Sequence, residues 1–244
     1  MAPDVDPETA RPPTAAPGLI WSLVIPVKVL AQAKSRLAEL TGTVRSQLAL
    51  AMAADTIAAA AAAPLVGAVV VVTDDPAVGD IAARLGALVL PDRPASGLND
   101  ALAYGAAEAR KRWPERGRAG LAADLPAVRP GELTVALAAA ANLGAAFVPD
   151  AEGTGTVLYA APPGVEFRPQ FGQGSGNRHR AAGAVEIGPA EIGPTAGPAA
   201  LAGLRRDVDT IGDLRRAARL GLGQRTRALL ADGAPHPELA GILK

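Results

Sequence analysis

The sequence predicts a layered α/β fold built on a largely parallel sheet. Three observations carry that prediction. Short apolar runs alternate with longer helical stretches, and this β-loop-α rhythm implies right-handed crossovers between parallel strands. The stretch from Val66 to Val72 is one continuous apolar run rich in valine, which suits a strand buried on both faces. Apolar residues make up 49% of the 244 positions, yet aromatics supply only 3%, so the core must be Ala, Val and Leu packed in close layers.

Composition also sets limits on function. Lys and Arg total 24, Asp and Glu total 24, and the formal net charge is zero. That balance argues against non-specific binding to nucleic acid or to an anionic membrane, both of which need a basic excess. There is no cysteine, which excludes disulfides, thiolate metal sites and Cys nucleophiles, and two histidines do not make a His-rich zinc site. The acidic, Pro-rich beginning has no apolar leader core, and the run from Ile57 to Val72 is interrupted by Pro64 and Gly67. The expected location is the cytoplasm.

Residues 1–18, with five prolines among Ala, Thr and charged residues, bury too little surface to offset their ordering and are expected to be a disordered tail. Residues 19–244 then form one domain. Leu23 to Val27 reads as a buried first strand, and the loop after it carries Lys28, Lys34 and Arg36 within nine residues. Cations past the carboxyl end of such a strand make either a polyphosphate seat or a solvated loop.

A helix from about Thr43 to Ala63 follows, with Leu48 and Met52 on its apolar face and Pro64 ending it. After the valine-rich strand, Asp75 caps a helix that begins at Pro76 and stops at Gly86. Ala87 to Leu90 is a third strand. The loop at 91–99 offers Gly97, which permits close approach of a ligand, and Asn99, whose amide both donates and accepts, unless it simply caps the helix from Asp100 to Trp113.

Gly120 to Ala123 is a weak strand leading to Asp124-Leu125-Pro126, where a rigid turn presents a carboxylate. Magnesium is commonly held by one or two such carboxylates together with substrate phosphates, although a turn or cap aspartate looks the same in sequence. A helix from Pro130 to Asn142 and a strand from Ala145 to Val148 come next. The loop Pro149-Asp150-Ala151-Glu152-Gly153-Thr154-Gly155-Thr156, before a strand from Val157 to Ala161, is long for a hairpin. Its glycines and threonines offer backbone N–H groups and hydroxyls to an anion.

Phe171-Gly172-Gln173-Gly174-Ser175 has similar chemistry, with Ser175 as the expected cap of a helix from Gly176 to Ala182. His179 inside that helix reads as structural or merely near a ligand. Residues 187–200 read as a surface excursion. Leu204 to Thr210 looks like a strand that puts Asp207 and Asp209 on one side, within reach of Asp124. Thr210 and Asp213 form a capping box for a helix to about Leu220. Five arginines between 215 and 227 read as a solvated face.

The ordered motifs Pro26-Val27-Lys28, Ala33-Lys34-Ser35-Arg36-Leu37, Gly97-Leu98-Asn99, Ala123-Asp124-Leu125-Pro126, the Gly-Thr loop, Phe171 to Ser175 and Asp207 to Thr210 together resemble one family over residues 20–225. It is the 2-phospho-L-lactate or phosphoenolpyruvate guanylyltransferase family of deazaflavin coenzyme F-420 biosynthesis. The resemblance implies a three-layer α/β/α sandwich with a mainly parallel sheet, like that of nucleotide-diphospho-sugar transferases. It implies transfer of GMP from GTP to a phosphorylated three-carbon acid, with magnesium as cofactor and release of pyrophosphate.

Carried over by residue, Lys28, Lys34 and Arg36 would hold phosphates and, with Asp124, act in catalysis. Gly97 and Asn99 would lie near guanine and ribose. Asp124 and Asp209, with Asp207 beside them, would hold magnesium. Thr156, Gly172 and Ser175 would bind the acceptor's phosphate, with Asp150 shaping that pocket. The Ala-, Gly- and Arg-rich usage suggests a high-GC bacterial genome. Because bacterial members of the family mostly resemble the phosphoenolpyruvate type, the resemblance implies phosphoenolpyruvate over 2-phospho-L-lactate or 3-phosphoglycerate. A related nucleotidyltransferase with another nucleotide and a non-catalytic binding module are the alternatives. Such folds are commonly dimers. Glu152 departs from the Asp expected in the loop, and the strand before Asp124 is small and polar for a central strand.

Overall fold

A computed structural model describes residues 19–32, 37, 40–93, 95–193, 199–231 and 239. The tail at 1–18, Lys34 and Arg36 lie outside the described residues. In chain order the elements are β1 (Trp21–Pro26), a 3-10 turn (Leu30–Gln32), α1 (Gly42–Ala61), β2 (Val66–Val72), α2 (Pro76–Arg84), β3 (Leu88–Leu90), α3 (Leu98–Arg112), β4 (Gly117–Leu121), α4 (Pro130–Ala140) and β5 (Ala146–Val148). Then come β6 (Leu158–Ala161), α5 (Ser175–Ala181), β7 (Val185–Glu186), α6 (Pro189–Ile192), α7 (Ile211–Leu220) and α8 (Gln224–Leu230). Among the described residues, no helix is long and apolar enough to cross a membrane.

The seven strands form one sheet in the order β3-β2-β1-β4-β6-β5-β7. Only β6 runs against its neighbours, pairing antiparallel with both β4 and β5. The other pairings, β1 with β2 and β4, β2 with β3, and β5 with β7, are parallel. The sheet is therefore mainly parallel, as its valine-rich runs predicted.

Helices cover both faces. On one, Leu23, Ile25, Val69 and Val71 pack with Ala53, Ile57, Val78, Ala82, Leu133 and Leu137 of α1, α2 and α4. On the other, Val24, Val70 and Val72 meet Ala101, Leu102 and Ala106 of α3, while Phe147 and Tyr159 meet Phe171 and α5. Residues alternate between the faces along β1 and β2, as strand geometry requires. A third cluster packs α7 and α8 on the outer side of α1 through Leu48, Met52, Leu214 and Leu230.

The weak strand is real, but it begins three residues early, at Gly117. Its poor composition has a steric cause. A Cβ on Gly117 would lie 2.4 Å from the buried Trp21 ring, and one on Gly120 would lie 2.7 Å from Leu102 of α3. Gly105 of α3 likewise sits on Val24, where a Cβ would approach within 2.5 Å. Trp21 of β1 crowds position 117 and α3 crowds position 120, so apolar content understated the burial of β4.

The expected strand at 204–210 is not formed. Leu204 and Val208, four residues apart, are the buried anchors, and the chain between them is turn and irregular loop. Strand periodicity would have buried alternate residues. Side chains hold the segment instead. Glu132 accepts from the Gly203 N–H at 2.7 Å, and Arg205 donates to the Asp150 carbonyl at 2.8 Å. The capping box of α7 is present, with Thr210 accepting from the Asp213 N–H at 3.2 Å and Asp213 from the Thr210 N–H at 2.9 Å.

Candidate active site

From β1 the chain places β2 and β3 to one side, then crosses behind them through α3 to place β4 on the other. Loops leaving β1 and β4 therefore diverge at their carboxyl ends, which opens a crevice at the switch point. A cavity of about 680 Å³ occupies that place. Its walls include Pro26, Val27 and Lys28 after β1, Ala122, Ala123 and Asp124 after β4, and Asp150, Thr154, Gly155 and Thr156 between β5 and β6. Phe171, Gly172, Gln173, Asp207 and Asp209 complete the rim, with Ala49, Met52 and Ala53 of α1 and Leu98 and Leu102 of α3 beneath. The small side chains at 49, 53, 122 and 123 leave room for a ligand.

The carboxylate wall is held by backbone. Leu125 N–H donates to Thr56 Oγ1 of α1 at 3.1 Å, and Thr56 donates onward to the Met52 carbonyl at 2.9 Å. Val208 N–H donates to the Asp124 carbonyl at 3.1 Å. This bond ties the chain at 207–209 to Asp124, and all three aspartates line the one cavity although no strand carries two of them. Among the described residues, no three His, Cys, Asp or Glu side chains group tightly enough to hold a metal unaided. The set is one of hard oxygen donors, which suits a cation that takes its remaining ligands from phosphates and water.

Lys28 is exposed at the cavity wall. Its loop is tied to α2, because the N-cap Asp75 accepts from the Ala77 N–H at 3.0 Å and also from the Leu30 N–H at 2.9 Å. Asp92, after β3, lies in the same electrostatic neighbourhood. Burial and the nearby Asp74 raise its pKa above the usual carboxylate value, and Lys28 pulls it back.

The Gly-Thr loop is ordered by its own aspartate. Asp150 accepts from the Thr154 N–H at 2.8 Å and the Gly155 N–H at 2.7 Å. Two N–H groups expected to serve an anion are thus satisfied within the loop, by a residue that itself lines the cavity. A Cβ at 155 would lie 2.3 Å from Asp150 Oδ2, so a larger residue there would displace the carboxylate that orders the loop. Glu152, the departure from the family pattern, pairs with Arg206 at 2.9 Å and so helps tie this loop to the 201–210 segment.

One expectation needs correction. Ser175 is not a cap. Gly174, left-handed at φ 70°, holds the N-cap position, and the Ser175 hydroxyl turns to Thr156 Oγ1 at 2.9 Å, fully buried. Asn99 uses both ends of its amide on one backbone group, donating to the Phe171 carbonyl at 3.1 Å and accepting from its N–H at 2.7 Å. It is a tether that holds Phe171 and Gly172 against α3. Gly97, at φ 130°, is the N-cap of α3, and Leu98 takes the place on the cavity.

Sequence reasoning quoted Phe171 and Gln173 only as part of a motif, and passed over Arg205 and the bonding role of His179. Buried His179 lies 2.9 Å from Thr156 Oγ1 through Nδ1 and accepts the Gln170 N–H at 2.9 Å through Nε2. Its ring stacks on Tyr159 at 4.7 Å between centroids. Burial, and then the positive charge of Arg178, push its pKa down to about 4. The available signal was its offset of four from Ser175, which puts both on one helical face.

With that geometry in place, comparison with known proteins is decisive. The chain matches the family described as "Guanylyl transferase CofC like" over residues 21–182. The chain belongs to this family. Curated relatives named phosphoenolpyruvate guanylyltransferase include one from Thermomonospora curvata, 55% identical and covering 87% of this chain and 90% of the relative. Others are from Streptomyces coelicolor, 52% identical over 86% and 96% of the two chains, and Salinispora arenicola, 50% identical over 88% and 96%.

Among solved structures, a protein of Desulfovibrio desulfuricans described as a nucleotide-diphospho-sugar transferase aligns with TM-score 0.60 at 15% identity over 90% of this chain and 92% of its own. A nucleotidyl transferase from Methanothermobacter aligns with TM-score 0.53 at 17% identity, covering 83% and 97%. These two establish the nucleotidyltransferase-like fold of this guanylyl transferase.

Proposed function

We propose that this protein transfers GMP from GTP to phosphoenolpyruvate, releasing pyrophosphate, as a cytoplasmic step in deazaflavin coenzyme F-420 biosynthesis. One observation carries the reading beyond family membership. A single cavity is lined by Lys28, by the aspartates 124, 207 and 209, and by Thr156 and Gly172. It therefore offers a place for a nucleotide's phosphates and a separate one for a second, smaller anion.

The chemistry follows from charge. A phosphate oxygen of the acceptor attacks the α-phosphorus of GTP. That P–O bond forms as the bond from the α-phosphorus to the β-bridging oxygen breaks, and pyrophosphate departs with the electron pair. A phosphate monoester has its second pKa near 6, so most of the acceptor is already a dianion at neutral pH and no general base is required. The obstacle is repulsion. Two unit charges about 4 Å apart cost about 4 kcal/mol at an effective dielectric of about 20.

Lys28 offsets part of this at the nucleotide's phosphates, and Lys34 and Arg36 are assigned the same task. Asp124 and Asp209, with Asp207 adjacent, would hold magnesium. When bound, that ion neutralises phosphate charge and stabilises the leaving group. Thr156, Gly172 and the loop braced by Asp150 fix the acceptor's position, which converts the encounter into an oriented one.

The test is to follow pyrophosphate release from GTP and magnesium with phosphoenolpyruvate, 2-phospho-L-lactate or 3-phosphoglycerate, and then from ATP, CTP and UTP with the best acceptor. Release is expected with GTP and phosphoenolpyruvate. No release with any of the three acids, or preference for another nucleotide, overturns the assignment.

A further inference from the structure

We infer that His179, which does not line the cavity, is a positioning residue that makes Thr156 a hydrogen-bond donor toward the acceptor. The inference rests on the assignment of the Thr156–Gly172 end of the cavity to that acceptor.

The argument is one of counting protons. The Gln170 backbone N–H lies 2.9 Å from His179 Nε2 and can only donate. Nε2 must therefore be unprotonated, and the proton of the neutral ring sits on Nδ1. Nδ1–H then donates to Thr156 Oγ1 at 2.9 Å. The Ser175 hydroxyl is also 2.9 Å from Thr156 Oγ1. A hydroxyl has two lone pairs and one proton. If Thr156 gave its proton to Ser175, the proton of fully buried Ser175 would be left without an acceptor among the described residues. Stranding a buried donor costs about 1–3 kcal/mol. Ser175 therefore donates to Thr156, both lone pairs of Thr156 are filled, and its own proton has the cavity as its outlet. Thr156 lines that cavity.

The surroundings hold the ring in this state. Tyr159 stacks on it, Phe147 lies 5.3 Å away and Phe171 meets it edge-on. A second proton on the ring would set Nε2–H against the Gln170 N–H. Burial and Arg178 independently favour the neutral ring. Thr156 thus enters the site as a fixed donor, which accepts an anion and disfavours a donor group in the same place.

The experiment has two arms. Nitrogen-15 NMR of histidine-labelled protein at neutral pH should show a protonated Nδ1 and an unprotonated Nε2 for His179. The opposite tautomer, or an imidazolium, overturns the inference without reference to catalysis. In the kinetic arm, His179→Asn returns an N–H near the Nδ1 position, whereas His179→Gln reaches the Nε2 position and leaves Nδ1 without a donor. His179→Gln should raise KM for phosphoenolpyruvate about tenfold or more with KM for GTP unchanged, and His179→Asn should restore most of the loss. Adding His179→Gln to Thr156→Val should change nothing further. Equal effects of Asn and Gln, or equal shifts in both KM values, overturn the role of His179. A wild-type protein that turns over none of the three phospho-acids overturns the acceptor assignment instead.

Discussion

The buried imidazole makes stability depend on pH in a calculable way. His179 has a pKa of about 4 in the folded protein against an ordinary 6.5, because burial and then Arg178 disfavour its cation. Between those values the unfolded chain takes up a proton that the folded protein refuses. The stabilisation is complete above about pH 6.5 and is lost as pH falls towards 4. At 1.36 kcal/mol per pH unit, the interval from 6.5 to about 4 corresponds to about 3 kcal/mol, of which about 2 is lost by pH 5. The ring has 0% exposure, so solvent does little to screen the effect.

The perturbation is His179→Gln, which removes this titration. The assay is urea unfolding followed by circular dichroism at pH 7, 6 and 5 for both proteins. Carboxylates and the other histidine contribute equally to both curves and cancel in the difference. The wild type should lose about 2 kcal/mol more than the variant between pH 7 and 5. Parallel curves would refute the reasoning, since they would mean that His179 titrates normally. Against a total stability of about 5–15 kcal/mol, a loss of this size is easily resolved.

Other predictions follow from single residues. Asp124→Asn should lower kcat at least about a hundredfold while leaving the melting temperature unchanged, measured by pyrophosphate release and calorimetry. Gly155→Ala drives a Cβ to within 2.3 Å of Asp150 Oδ2, so it should raise KM for the acceptor more than KM for GTP. Asp55, buried in α1, accepts the Arg225 N–H at 3.0 Å and the Thr226 N–H at 2.8 Å and so caps α8 from a distance. Asp55→Ala should cost about 2 kcal/mol in chemical denaturation with little change in KM.

Much of the fold was legible because local chemistry and global architecture agree. Val66–Val72 suited a doubly buried strand and is one, buried on both faces from Val69 to Val72. Asp75 with Pro76 announced a helix start that the structure forms, with Asp75 accepting from Ala77 and Val78. β4 was read too short because its burial is achieved by removing side chains at 117 and 120. The antiparallel β6 was hidden for another reason, since buried strands of either direction read alike in sequence.

At the site, the motif series located Lys28, Asp124, Asp150, Thr156, Gly172, Asp207 and Asp209, all of which the fold brings to one cavity. What sequence could not supply was the use of each hydrogen bond. Asn99 is spent on Phe171, the loop amides on Asp150, and Ser175 on Thr156. The Asn99 and Ser175 contacts join segments 72 and 19 residues apart, and no local pattern encodes them.

The most direct measurement is a structure with phosphoenolpyruvate, magnesium and a GTP analogue that cannot be cleaved between its α- and β-phosphates. The acceptor's phosphate should lie within hydrogen-bonding distance of Thr156 Oγ1, with one oxygen facing the α-phosphorus beside Asp124 and Asp209 and the β- and γ-phosphates at Lys28. An acceptor bound away from Thr156, or α-phosphorus remote from Asp124, would contradict the account.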